Sequence, residues 1–208
     1  GFDVVPSDCL AAHMKRRMPE STKLTLGISG LGGISHGTAK TMVEMIGFGT
    51  MVRRAGKIIA LKKPPRTEID FGDGPKPSIG VGWGDVSTAY HSTGIGDITV
   101  YFEASPQMER MAGMGSFMRW LMSTGPMQTF LKKQIDKQPA GPTDEERAAG
   151  SAILIGEAED ASGNIVRSRL ETMEGYSLTA VTSLKTVTRT LGGEAKPGYQ
   201  TPSLVFGP

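Results

Sequence analysis

The sequence predicts an α+β domain: a mixed, mostly antiparallel sheet with helices packed on it. Three observations predict it. Apolar and polar residues alternate at 24–28 and 97–103, marking strands that do not recur as strand–helix–strand units. Two further segments, 152–159 and 165–173, flank Asp160-Ala161-Ser162-Gly163-Asn164 and read as a hairpin. Helical stretches with their own start signals lie between and after these strands. Composition is even along the 208 residues and nothing repeats, so a single domain over 1–208 is expected.

Each element has a local reason. Ser7, in the turn Pro6-Ser7-Asp8, is placed to cap a helix from about Asp8 to Met18. That helix stops before Pro19 with a basic last turn of Lys15, Arg16 and Arg17. Leu24, Leu26 and Ile28 share one face of a strand that Gly30-Leu31-Gly32-Gly33 ends. From Gly37 to about Ala55 the apolar positions follow a helical period, interrupted by Gly47 and Gly49. Lys57–Leu61 and Thr67–Phe71 are short strands joined by the turn Lys62-Lys63-Pro64-Pro65. Asp73–Pro77 is a loop, and Ile79–Asp85 holds many glycines for a strand. Asp85 or Ser87 opens a short helix through His91, stopped by Gly94. After the strand Asp97–Glu103, Ser105-Pro106 starts a helix to about Thr124. Another spans about Met127 to Lys137. Thr143-Asp144-Glu145-Glu146 is a capping box. Ser177 is expected to cap a final long helix to about Leu191, closed by Gly192-Gly193.

Composition excludes several classes. The 28 glycines follow no three-residue period, so the chain is not collagen-like. A formal net charge of +2 argues against a nucleic acid held by bulk charge. Apolar runs fall well short of the ~18 residues of a membrane span. Cys9 is the one cysteine, so no disulfide closes within the chain, and a reducing, cytoplasmic setting is expected. Cys9 itself reads as a helix residue facing the interior, because a nucleophile needs a positioned base and none is identified. The chain opens Gly1-Phe2-Asp3-Val4-Val5, without an initiator Met or signal peptide, inside what reads as an apolar strand. Residue 1 is therefore expected to be internal to a longer protein.

Several motifs invite a chemical reading. Gly30-Leu31-Gly32-Gly33-Ile34-Ser35 lies between a strand and a helix, where a dinucleotide fingerprint would lie. Ser35 replaces its third glycine, and no acidic residue ends a following strand at the right distance. Thr38 stands where a P-loop needs Lys, so the segment reads as a close-packed strand exit. His13, His36 and His91 are scattered, and no metal site is expected. Asp85, Ser87, Tyr90 and His91 crowd one polar stretch, with Ser87 and His91 on one helix face, but no nucleophile elbow accompanies them. Met108, Met111, Met114, Met118 and Met122, with Phe117, Trp120 and Leu121, read first as core. A subunit interface or a pocket wall for a long apolar ligand are the alternatives. A membrane-surface role is not expected there, because only Arg110 and Arg119 flank the stretch. Lys57, Lys62, Lys63 and Arg66 surround a turn and read as a solvated loop, with a phosphate contact as the alternative.

Gly1-Phe2-Asp3-Val4-Val5-Pro6-Ser7-Asp8 resembles the G-F-D-x-x-P-S-D signature of the saccharopine dehydrogenase-like oxidoreductases, a group that includes trans-acting enoyl reductases. Gly32-Gly33-Ile34-Ser35-His36-Gly37-Thr38 is similar to the family's glycine-rich segment before a helix. Gly141-Pro142-Thr143-Asp144-Glu145-Glu146-Arg147 resembles its G-P-[ST]-x-E-x-R helix start. Gly198-Tyr199-Gln200-Thr201-Pro202-Ser203 with Gly207 resembles its closing G-x-x-T-P motif.

The resemblance implies the substrate-binding and dimerisation domain of an NAD(P)-dependent oxidoreductase. Its N-terminal Rossmann domain would precede Gly1, so no cofactor is expected on this chain alone. It implies a homodimer and a small-molecule or acyl substrate. It also implies that Gly1, Pro6, Ser7, Asp8, Thr201 and Pro202 lie near the cofactor, with the start of the helix at Ser7 offering free amides to an anionic group. Asp3, Asp85, Tyr90 and His91 are the candidate catalytic residues. No arginine pair is placed for a dicarboxylic amino acid, which sets the chain apart from lysine-pathway reductases. The other reading is a non-catalytic lipid- or protein-interaction module on the same fold.

Overall fold

Strands with one apolar face are buried most completely when those faces lie side by side. The computed structural model describes residues 1–208, which form α1 (Val5–Arg17), β1 (Ser21–Ser29), α2 (His36–Met45), β2 (Thr50–Arg54), β3 (Lys57–Leu61), β4 (Arg66–Asp70), β5 (Pro75–Val81), α3 (Asp85–Thr93) and β6 (Asp97–Glu103). They continue as α4 (Pro106–Ala112), α5 (Ser116–Met122), α6 (Gly125–Ile135), α7 (Asp144–Ala149), β7 (Ser151–Asp160), β8 (Ile165–Met173), α8 (Gly175–Leu191) and α9 (Pro202–Phe206). β1 and β6 pair in parallel, Leu24 opposite Ile98 and Leu26 opposite Val100. Every other pairing is antiparallel. The strand order is β3-β2-β6-β1-β7-β8, with the β4–β5 hairpin attached through β5 to β6. The fold is the expected α+β class with a mixed, mostly antiparallel sheet.

Helices α1 and α3 cover one face. Leu10 and Met14 of α1 lie over β7 at Gly156, where a Cβ would stand 2.8 Å from Met14 Cγ. Together with Leu24, Leu26, Ile98, Val100 and Leu154 they form the buried core. Each such side chain contributes roughly 1.5–3 kcal/mol. The other face is covered at Gly27 by Ile69 and Phe71, which follow from the β4 side of the sheet. β1 and β6 run in parallel and end at the same edge, so α2 and α4 leave the sheet there.

Several elements depart from expectation. α1 begins at Val5, because Pro6 has the φ of a first helical turn; Ser7 is buried inside the helix and caps nothing. The helix predicted over 37–55 stops at Met45, and Thr50–Arg54 pairs with Lys57–Leu61 instead. Gly49 makes that switch with φ +75, where a Cβ would lie 2.6 Å from Leu61 O. Pro75–Val81 is a strand despite its glycine, since Gly80 admits Pro65 against the backbone. The helix predicted over 105–124 is two helices, broken at Gly113–Gly115, and neither buries a residue fully. The methionines therefore do not form the core. Glu174, not Ser177, caps α8, its carboxylate accepting from Tyr176 N and Ser177 N at 3.0 Å. The capping box at Thr143–Glu146, the Ser105 cap and the Gly94 stop all stand as predicted. No helix is long and apolar enough to cross a membrane.

Candidate functional site

Three helices meet where the first and last parts of the chain come together. Asp8, in the first turns of α1, is fully buried. One carboxylate oxygen accepts from Ser92 Oγ of α3, and the other accepts from Ser203 N of α9 at 2.7 Å. Ser92 Oγ lies 2.7 Å from Thr201 Oγ1, and Thr201 caps α9 through the Leu204 amide. A carboxylate at a helix start is favoured both by the free amides and by the helix dipole. Asp8 thus caps α9 from a distance of 195 residues in sequence. Phe2 N donates to Thr179 Oγ1 at 2.8 Å, which lays α8 against the same segment, and Gly1 lies on the Thr179 side chain.

Asp85 begins α3 just beneath this junction. It is fully buried, and neither carboxylate oxygen has a hydrogen-bond partner; the buried Ser7 and Ser203 hydroxyls also lack one. Burial raises the Asp85 carboxyl to about 7, the nearby Ser7 hydroxyl opposes this, and the charges of Asp3 and Asp8 push it further up. Below about pH 7 the result is a neutral carboxylic acid inside the protein. Asp3 sits at the surface, its carboxylate lying over the backbone of Gly84.

The other candidates are spread around α3. His91 is exposed, and its ring stacks against Tyr199 at 4.7 Å between centroids. Tyr199, Gln200, Leu204, Val205, Glu194 and Lys196 line an open cleft of about 320 Å³. Tyr90 points elsewhere: the guanidinium of Arg53 lies 4.0 Å from its ring centre. Arg53 is buried and donates to Val86 O at 2.6 Å and Gly56 O at 2.5 Å, which ties β2 to α3. The fold therefore gathers Asp3, Pro6, Ser7, Asp8, Asp85, Thr201 and Pro202, and puts His91 beside the cleft, with Tyr90 between His91, 5.9 Å away edge to face, and Arg53. Ser92, Tyr199 and Arg53 carry no sequence signal, because each acquires its partner only through tertiary packing.

Two sequence expectations are settled by geometry. The start of α1 offers few free amides: Val5 N is bonded to Gly1 O, Asp8 N to Val4 O, and Pro6 has none. The Gly30–Ser35 segment does not form a phosphate cradle. Gly30 has φ +76, and a Cβ there would clash with Ser151 O, so the glycine lets the strand exit cross β7. Cys9 is half-buried with its thiol pointing at Gly207 O, 3.7 Å away; burial first and then Asp8 push the thiol up and disfavour the thiolate. No group of three or more His, Cys, Asp or Glu is placed to hold a metal. Comparison with protein-family models and with curated proteins yields no match.

Proposed function

We propose that the chain is the substrate-binding and dimer-contact unit of a saccharopine dehydrogenase-like NAD(P)-dependent oxidoreductase, with the dinucleotide held by a separate domain. One observation supports this most. The two segments that carry the resemblance, Gly1–Asp8 and Thr201–Ser203, are far apart in sequence yet hydrogen-bonded to each other through Asp8. Shared motifs that converge on one place are what a joint site requires. The cleft along Glu194–Val205 opens beside that place and approaches the volume of a small-molecule site. Tyr199 is its aromatic wall, with His91 packed behind that ring, and Lys196 offers a cation to an anionic substrate group. Asp85, closed off beneath, is fully buried and does not touch substrate.

When bound, the nicotinamide supplies the hydride, and this chain orients the acceptor and excludes water. The test is to produce the open reading frame together with whatever precedes Gly1 and measure NADPH binding by fluorescence enhancement. Binding is expected, and His91→Ala is expected to leave it intact while lowering turnover of enoyl or imine substrates at least tenfold. A protein that fails to bind either dinucleotide overturns the proposal.

A further inference from the structure

An exposed apolar surface lies on α5 and the segment between α2 and β2, away from the residues of the Asp8 junction. Phe117 and Trp120 of α5 are 72% and 61% exposed, and their rings lie 5.9 Å apart. Phe48 is 62% exposed and shares a shallow cleft with Leu61, Lys62 and Arg119. Arg119 donates to Lys62 O and Met114 O, which fixes the turn Lys62–Lys63 next to α5. Ser123, just after α5, lies against Gly47, the neighbour of Phe48.

Lys62 and Lys63 are exposed beside this face and lie in no ion pair. Of the other cations nearby, Arg53 is buried against Tyr90, Arg66 pairs with Glu109 at 2.5 Å and Lys132 pairs with Glu44 at 2.5 Å. The linear sequence shows only Arg110 and Arg119 beside the methionines; the fold adds Lys62 and Lys63 from the β3–β4 turn. The unpaired positive charge beside the exposed rings is therefore that of Lys62, Lys63 and Arg119. Exposed Trp and Phe ringed by Lys and Arg match the interface of an anionic bilayer, where aromatic rings sit at headgroup depth and cations meet lipid phosphates. A second copy of the chain suits the face less well, since pairing would bring two cationic surfaces together.

We propose that this face docks onto an anionic membrane surface, with Phe117, Met118 and Trp120 entering the headgroup–acyl boundary and Lys62, Lys63 and Arg119 binding lipid phosphates. The contact is peripheral, because α5 is one short helix and nothing in the fold spans a bilayer.

Vesicle co-sedimentation of the full chain tests this, using phosphatidylcholine vesicles with and without 30% phosphatidylserine. Binding to the anionic vesicles at least tenfold tighter than to the neutral ones is expected, weakening as salt rises. Phe117→Ser with Trp120→Ser, and separately Lys62→Glu with Lys63→Glu, are each expected to weaken it at least tenfold while the thermal midpoint stays within about 2 °C. Absence of binding to anionic vesicles overturns the proposal, as does binding that survives the Phe117/Trp120 change. Light scattering that shows a dimer lost in that variant, with no vesicle binding by the parent, assigns the face to self-association instead. No dinucleotide is needed in any arm, so the outcome is independent of the oxidoreductase reading.

Discussion

At the scale of single residues, Asp85 is the group with the clearest consequence. Its carboxyl is neutral in the folded protein up to about pH 7, whereas in the unfolded chain it ionises near 3.8. Between those values the native state holds the proton that the unfolded state has released, so stability falls as pH rises through the window and levels off above about 7. The slope from this one group is at most about 1.4 kcal/mol per pH unit. Asp85→Asn removes the titration while keeping the shape. Urea melts at pH 5 and pH 8 are expected to show a smaller loss of stability for the variant than for the parent. An unchanged pH dependence would mean that Asp85 is ionised when buried.

At the scale of elements, the glycine-rich strand exit shows how a motif and its structural cause diverge. Gly30, Gly32 and Gly33 match part of a nucleotide fingerprint by letter, but only Gly30 is constrained, and by Ser151 O of β7. Gly30→Ala places a Cβ in the left-handed region and against a backbone oxygen, so a loss of at least about 2 kcal/mol is expected. Gly32→Ala, where a Cβ meets nothing within 4 Å, is expected to change stability by less than about 1 kcal/mol. Paired denaturant titrations separate the two; equal effects would contradict the close approach to β7. The neighbouring helix prediction failed for the same kind of reason. Residues 50–54 have a helical apolar period, yet Leu61 offers them a ladder partner and Gly49 provides the turn.

At the scale of the whole molecule, α8 carries an apolar stripe that nothing in the chain covers. Leu178 near its start packs on the core, but Leu184 and Leu191 are 72% and 83% exposed, with Val181 and Val187 beside them. Arg189 stacks on Phe206 of α9 at 4.3 Å, so the stripe continues the surface of the Asp8 junction. On the proposed dimer-contact reading, a second subunit covers this face. Leu184→Glu with Leu191→Glu is expected to leave the melting curve of the chain nearly unchanged and to shift the light-scattering mass toward the monomer. A mass already monomeric in the parent, and unaltered by the change, would remove the dimer contact from α8.

The sequence alone determined what is encoded over a few neighbouring residues. The α+β class, the Leu24–Ile28 and Asp97–Glu103 strands, the β7–β8 hairpin, the Thr143 capping box and the Gly94 stop, with φ +71, all follow from periodicity and backbone preference acting locally. Tertiary structure decided whatever depends on a distant partner. It placed Ser7 inside a helix rather than at its cap, closed Asp8 onto Ser92 and Ser203, left Asp85 buried without a partner, and turned the methionine helix outward. Burial and hydrogen-bond completion are properties of the packed chain, and a linear pattern specifies which face of an element is apolar without specifying what will cover it.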